Sequence, residues 1–216
     1  MRVLTHVKTK SMAVALTFDD GPDPLWTPRF LDLLKRRGAR ATFFVVGSKA
    51  VKHTDCLVRI LREGHELAYH GWNHELGSED ILSGLKGLLK EHQRGRSAED
   101  KVMKYWRPPY GRLGMGDWIV ARLAGFQVVG WSFNILDWII DDPNALAPYL
   151  RTRLAPGAIV LLHDCHKVDR NHLYLALDRV MEKPLFTFLT LSELLQEGKP
   201  GYDWKWMLNN PKGRFF

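Results

Sequence analysis

The sequence has only two cysteines, Cys56 and Cys165, far apart in the chain. So few argue against a disulfide framework and suit a reducing compartment. Long apolar runs are missing too. Met12–Phe18 and Ala158–Leu162 are well short of the ~18 residues that cross a bilayer, so no transmembrane segment is expected. No secretory leader is read: the charged stretch Met1–Lys10 meets a short apolar run that ends in Asp19-Asp20. No repeat, low-complexity tract or Gly/Ser linker divides the chain. One domain over residues 1–216 is expected, with 202–216 as a C-terminal tail. Basic stripes with interleaved aromatics are also absent, so a nucleic-acid partner is not expected.

What is present is ordinary for a globular enzyme-sized domain. Of the 216 residues, 45% are hydrophobic and 25% charged, which excludes disorder and fibrous repeats for the whole chain. A chain of this length buries roughly 70% of its unfolded surface, enough for a core without staples. The 31 basic and 24 acidic residues give a net charge of +7. That balance favours an anionic polymer or surface as neighbour. Eight tryptophans offer both core filler and flat faces for sugar rings.

Short apolar runs alternate with helical spacing. Strands are predicted at Met12–Phe18, Ala41–Val46, His65–His70, Val102–Arg107, Gln127–Phe133, Ala158–His163 and Thr187–Leu191. Helices are predicted at Thr27–Arg37, Lys49–Arg62, Ser78–His92, Asp117–Ala124, Asn144–Leu154 and Asn171–Glu182, with a short one from Ser192. That makes about seven β–α units, which implies a parallel sheet covered by helices. The count fits a barrel-like closure; an open doubly wound sheet is the alternative.

Polar clusters fall at the ends of these strands. Asp19-Asp20 ends the first, His70 and His74 follow the third, Arg107 ends the fourth, Asp137 follows the fifth and His163-Asp164 ends the sixth. In α/β barrels the C-terminal strand ends form the rim that carries the active site. His70-x-x-x-His74 is a possible ion-binding pair, and by itself equally two surface histidines. A carboxylate from Asp19-Asp20 makes a His-His-Asp set with positions left for water and substrate. Adjacent strand residues point to opposite faces, so both aspartates reach one pocket only if the strand breaks there. Gly21-Pro22 supplies a break, although Asp before Gly-Pro is also a common turn. Trp26, Trp72 and Trp138 follow strand ends and are candidates for sugar stacking; Trp106, Trp118 and Trp131 are assigned to the core. His166 and Cys165 read as a loop histidine and a small buried thiol. Asp141-Asp142 reads as a helix start, and the aromatic, basic tail with Trp204 and Trp206 as packing back on the barrel.

Thr17-Phe18-Asp19-Asp20-Gly21-Pro22, His70-x-x-x-His74, Arg107-Pro108-Pro109-Tyr110, Leu136-Asp137-Trp138 and Leu161-Leu162-His163-Asp164 occur in that order. Together they resemble the polysaccharide deacetylase family (NodB-homology domain, carbohydrate esterase family 4), over Met12 to about Leu195. Ala41-Thr42-Phe43-Phe44 is also similar to that family's second strand. The resemblance implies a distorted (β/α)7 TIM-like barrel. It implies Asp19 as general base, Arg107 as its holder, and Asp20, His70 and His74 as ligands of a divalent metal. Zn2+ is the first expectation, with Co2+, Mn2+ or Ni2+ possible. It further implies Tyr110 as a backbone donor to an oxyanion and His163 as general acid tuned by Asp137. Trp138, Leu161 and Pro108 would shape the substrate pocket, beside Trp72 and Trp26.

The implied activity is removal of N-acetyl groups from N-acetylglucosamine in chitin-like or peptidoglycan-like glycans, by a monomer. O-acetylated xylan, or a lipid-linked amino sugar, is the alternative substrate; a non-catalytic carbohydrate-binding protein is the distant one. The resemblance suggests the cell envelope or exterior, while the unread leader and sparse cysteines allow the cytoplasm. Two positions depart from the family's pattern. Gly71 stands where Ser or Thr often follows the first histidine, so a bracing hydrogen bond is missing and Trp72 is expected to brace by packing. Asn134 replaces an additional Asp.

Overall fold

The computed structural model describes residues 1–84 and 103–203. Its strands are β1 (Leu4–Lys8), β2 (Ala13–Asp19), β3 (Thr42–Val45), β4 (Glu66–Tyr69), β5 (Tyr105–Trp106), β6 (Gln127–Val128), β7 (Phe133–Asn134), β8 (Ile159–His163), β9 (Thr187–Leu189) and β10 (Lys199–Tyr202). The helices are α1 (Trp26–Arg36), α2 (Gly47–Ala50), α3 (Thr54–Arg62), α4 (residues 78–84), α5 (Met115–Leu123), α6 (Pro143–Arg153), α7 (Asn171–Glu182) and α8 (Leu191–Leu194).

The large sheet runs β6-β5-β4-β3-β2-β8-β7, with β9 on β2, and its pairings are parallel. Its two ends, β6 and β7, belong to one stretch of chain. The expected strand Gln127–Phe133 is therefore split: its first residues pair with β5 and its last with β8. That split is where the sheet curls into a distorted barrel. β1 lies along the seam, bridging to Val129 and Ala158, and pairs antiparallel with β10. β9 and β3 share one edge of β2, at Ala13–Ala15 and Thr17–Asp19 respectively.

All seven residues of β2 are buried, as a parallel strand covered on both faces requires. Period-2 alternation then sorts its side chains. Val14, Leu16 and Phe18 join the outer core with Phe30 and Leu34 of α1, Leu146 and Leu150 of α6 and Leu173 and Leu177 of α7. Phe18 stacks on Phe43 at 5.1 Å between ring centroids. Ala13 and Ala15 join the inner cluster with Phe44, Ala68 and Ile159. Thr17 and Asp19 continue that inner row, so Asp19 reaches the barrel interior at its C-terminal end. The same alternation puts Leu161 and His163 inside on β8, and the β2–β8 register sets Asp19 opposite His163. Truncating Phe18 to Ala would cost ~3–5 kcal/mol, the usual value for a buried aromatic.

Several expectations change. The helix expected at Lys49–Arg62 is two helices, α2 and α3. The tail expected from residue 202 starts inside β10, and Trp204 and Trp206 lie outside the described residues, as do Val102 and the second half of the expected helix Ser78–His92. Asp142 caps α6 as expected, accepting from the Asn144 amide at 2.8 Å. Both cysteines are free.

Candidate active site

Arg107 continues the inward row of β5 and is completely buried. One guanidinium nitrogen donates to Asp19 Oδ1 at 2.6 Å and to Thr17 Oγ1 at 2.8 Å; the other donates to the Gly130 carbonyl at 2.7 Å. Its plane lies over the Phe44 ring, 4.1 Å from the centroid. Five donors in a fixed fork suit such a buried crossing point. The strand breaks one residue earlier than Gly21-Pro22: Asp20 itself has a left-handed φ of 73°. That turn brings consecutive carboxylates into one pocket.

Asp20 meets both expected histidines. Its Oδ1 lies 3.3 Å from His70 Nε2 and 3.2 Å from His74 Nε2. The opposite nitrogen of His70 contacts the Arg107 carbonyl at 2.8 Å. A proton on Nδ1 makes that contact a hydrogen bond and leaves Nε2 as a lone-pair donor. Asp20, His70 and His74 thus offer three ligand atoms within 4.8 Å of one another. An ion with ~2.0–2.1 Å bonds in tetrahedral geometry sets its ligands ~3.3 Å apart, so these residues fit one.

Charges in the site are strongly coupled. Burial opposes ionisation of Asp20, but the His70 hydrogen bond and the charges of His163, His70 and His74 outweigh it and carry its pKa well below the usual carboxylate range. Burial likewise opposes a charged His70, and the nearby Asp19 and Asp20 outweigh it, raising its pKa. His74 is pushed down to about 4 by burial and then by the charge of His70.

Across the cavity, His163 Nδ1 lies 2.9 Å from Asp137 Oδ1, and its backbone N–H donates to Oδ2 at 3.1 Å. Burial alone would lower the pKa of His163. The Asp137 charge and hydrogen bond, then Asp20 and Asp19, outweigh it and raise the value to about 9. Asp137 is itself clamped. Arg170, fully buried, donates to its Oδ2 at 3.1 Å, and His172 Nε2 sits 2.6 Å from its carbonyl oxygen. Asn134 accepts the Leu136 amide at 2.9 Å, and Leu136 has a φ of 57°. An Asn therefore suffices to form the turn that presents Asp137.

These groups share a cavity of about 760 Å³. Tyr110, Trp138 and Leu161 line it, as expected, and so do Trp131 and Lys49. The Trp138 ring meets His163 edge-on at 4.8 Å, and the Tyr110 ring lies 4.4 Å from His74. Tyr110 has a φ of 57° within the 3-10 turn Pro109–Gly111. Three expected pocket residues are not part of this lining. Trp26 is only 7% exposed, and opens α1 in the outer core beside Phe30. Trp72 packs over Gly47, where an added Cβ would meet its ring at 2.4 Å. Pro108 is buried under the turn that carries Tyr110. Trp131, assigned to the core, packs half-buried against the cluster around Trp106 and Val128 and also lines the cavity.

The model of the polysaccharide deacetylase family matches residues 6–129, more than half of the chain. This chain belongs to the polysaccharide deacetylase family. It is similar to a peptidoglycan-N-acetylglucosamine deacetylase of Bacillus cereus, 33% identical over 199 residues, covering 90% of this chain and 93% of that protein. It is 32% identical over 169 residues to a chitooligosaccharide deacetylase of Sinorhizobium fredii, covering 76% and 77%. The fold superposes on the crystal structure of the Bc1960 peptidoglycan N-acetylglucosamine deacetylase with a TM-score of 0.79 and 29% identity, covering 91% of this chain and 94% of that one. This polysaccharide deacetylase is a hydrolase of a generally metal-dependent family, and it carries a possible His/Asp ion site.

Sequence reasoning missed Arg170, His172 and Lys49. Arg170 and His172 open α7 within the polar run Lys167–His172, where nothing in the spacing singles out one residue. Lys49 was read as an ordinary helix residue, yet its ammonium donates to the Asp20 carbonyl at 2.8 Å and contacts Cys165 Sγ at 3.1 Å.

Proposed function

We propose that this protein removes N-acetyl groups from N-acetylglucosamine units of a polymeric glycan, with Zn2+ held by Asp20, His70 and His74. The observation carrying this reading is the flanking of those three donors. An Arg-held carboxylate, Asp19, lies on one side, and a carboxylate-backed imidazole, His163, on the other, within one cavity. A bound divalent ion supplies Lewis-acid activation of water and of a carbonyl oxygen.

The chain's own residues do the rest. Asp19, held in place by Arg107, accepts the proton of the attacking water. The Tyr110 backbone N–H, on its left-handed turn beside His74, stabilises the oxyanion of the tetrahedral intermediate. An amine leaves poorly unless protonated. His163, held as imidazolium by Asp137, donates its Nε2 proton to that nitrogen. Arg170 and His172 keep Asp137 aimed at His163. Trp138, Leu161 and Trp131 form the wall against which the acetyl group and its sugar rest.

The similarity to peptidoglycan and chitooligosaccharide deacetylases supports an amide over an ester as the bond cleaved. The test is acetate release from chitopentaose, peptidoglycan fragments and acetylxylan by chelated protein, with and without added Zn2+. Zinc-restored release from an N-acetylglucosamine glycan is expected. Release from acetylxylan alone would move the assignment to an O-acetyl esterase, and glycan binding without release would contradict an enzyme.

A further inference from the structure

We infer that Asp80 is a positioning residue for the His70–His74 loop, bracing it from α4. The inference rests on the reading of Asp20, His70 and His74 as ion ligands.

Asp80 is 6% exposed, an uncommon burial for a carboxylate. Among the described residues, its carboxylate is bonded to the loop between the two histidines. Oδ2 accepts the Trp72 amide at 2.9 Å and Oδ1 the Asn73 amide at 2.8 Å. Its backbone carbonyl accepts the Tyr69 hydroxyl at 3.0 Å, at the residue before His70. One residue therefore grips the chain just before the first histidine and between the two. The other side of the loop is held by α2: the Gly47 amide donates to the Gly71 carbonyl at 2.9 Å and the Ser48 amide to the Trp72 carbonyl at 2.8 Å. His74 itself sits at a φ of 62°, a conformation that L residues rarely hold unaided.

This arrangement accounts for Gly71. Its φ is +87°, and a Cβ there would lie 2.1 Å from Asp80 Oδ2. Any side chain at 71 would displace the carboxylate that takes the two amides. Gly71 and Asp80 therefore work as a pair: the glycine leaves the space, and the aspartate fills it with an acceptor for two N–H groups of the loop. Trp72, expected to brace the loop by packing, does pack on Gly47, but its amide is held by Asp80.

Partners that orient ion ligands typically change affinity 10–100-fold when removed. The test is Zn2+ binding to the full apo chain by calorimetry, for wild type, D80N, D80A, G71A and G71A/D80A. Thermal unfolding in chelator runs alongside, to separate folding from affinity. Zinc affinity should fall by about 10–100-fold in D80A, with D80N, which keeps one acceptor oxygen, in between. G71A should also weaken binding. In the D80A background the same glycine substitution should cost less, because the collision partner is gone. Equal zinc affinity in wild type, D80N and D80A would overturn the inference alone, and so would strictly additive effects of G71A and D80A. A wild type that binds no zinc would overturn the reading of the ligands. If D80A fails to fold, D80N and G71A carry the comparison.

Discussion

Replacing Asp137 by Asn should move the alkaline limb of activity downward. Asp137 contributes most to raising the His163 pKa from the ordinary 6.5 to about 9, ahead of Asp20 and Asp19 and against the effect of burial. Asn keeps the shape and an oxygen for Nδ1–H, but removes the charge. A general acid works only while protonated. With a pKa near 9, about 90% of His163 is protonated at pH 8; at 6.5 the fraction is ~3%, a loss of ~30-fold. In D137N burial still lowers the value while Asp20 and Asp19 still raise it, so a loss of that order at pH 8 is the expected result. At pH 6 both proteins are largely protonated, and the gap should narrow. A bound divalent ion near Asp20 lowers the limb in both proteins, so the displacement between their profiles is the quantity to read. The assay is kcat/KM for acetate release from pH 5 to 10, with zinc saturating. Superimposable alkaline limbs in wild type and D137N would refute the role given to His163.

Arg107→Met should leave Asp19 buried without its guanidinium partner, costing ~3–5 kcal/mol in a urea melt; Arg107→Lys should fold better yet lose 10²-fold or more in kcat, because an ammonium does not reach Thr17, Asp19 and Gly130 together. A melt unchanged in the Met variant would contradict the pairing. Asp164 offers a separate test. Burial pushes its carboxyl up to about 7, with one oxygen accepting the Thr27 hydroxyl at 2.5 Å. The folded protein holds this proton more tightly than the unfolded chain, whose carboxyl titrates near 3.8. Stability should fall as pH rises between about 4 and 7, and D164N should remove that slope and unfold at a higher temperature than wild type at pH 8. Parallel Tm profiles of the two proteins across this range would contradict it.

Much of this site could be read from the sequence because strands carry a strict period. Once Met12–Phe18 is a strand with helices outside, Asp19 must point inward, and the same count sends Arg107 and His163 to the same interior. The ion donors were legible as a spacing together with a strand-end carboxylate. What stayed hidden depends on tertiary partners. β1 and β10 are short, half-polar strands whose stability comes from pairing with each other across the whole length of the chain. The division of Gln127–Phe133 into β6 and β7 comes from barrel closure, to which local propensity is blind. Trp26 belongs to the core and Trp131 reaches the pocket, because an aromatic after a strand end reads alike in both settings. Arg170 and Asp80 act through backbone and carboxylate contacts set by loop geometry, and polar runs announce no such contacts.

The central claim is that Asp20, His70 and His74 together hold the ion on which deacetylation depends. The direct measurement is a zinc titration of chelated wild type, D20A and H74A, reading bound zinc and acetate released from peptidoglycan fragments on the same samples. The account predicts that binding and release rise together in the wild type and saturate at about one equivalent, the loading expected of a single three-ligand site. Neither should rise in D20A or H74A. Full release from the chelated wild type, or zinc-dependent release retained in D20A, would contradict it.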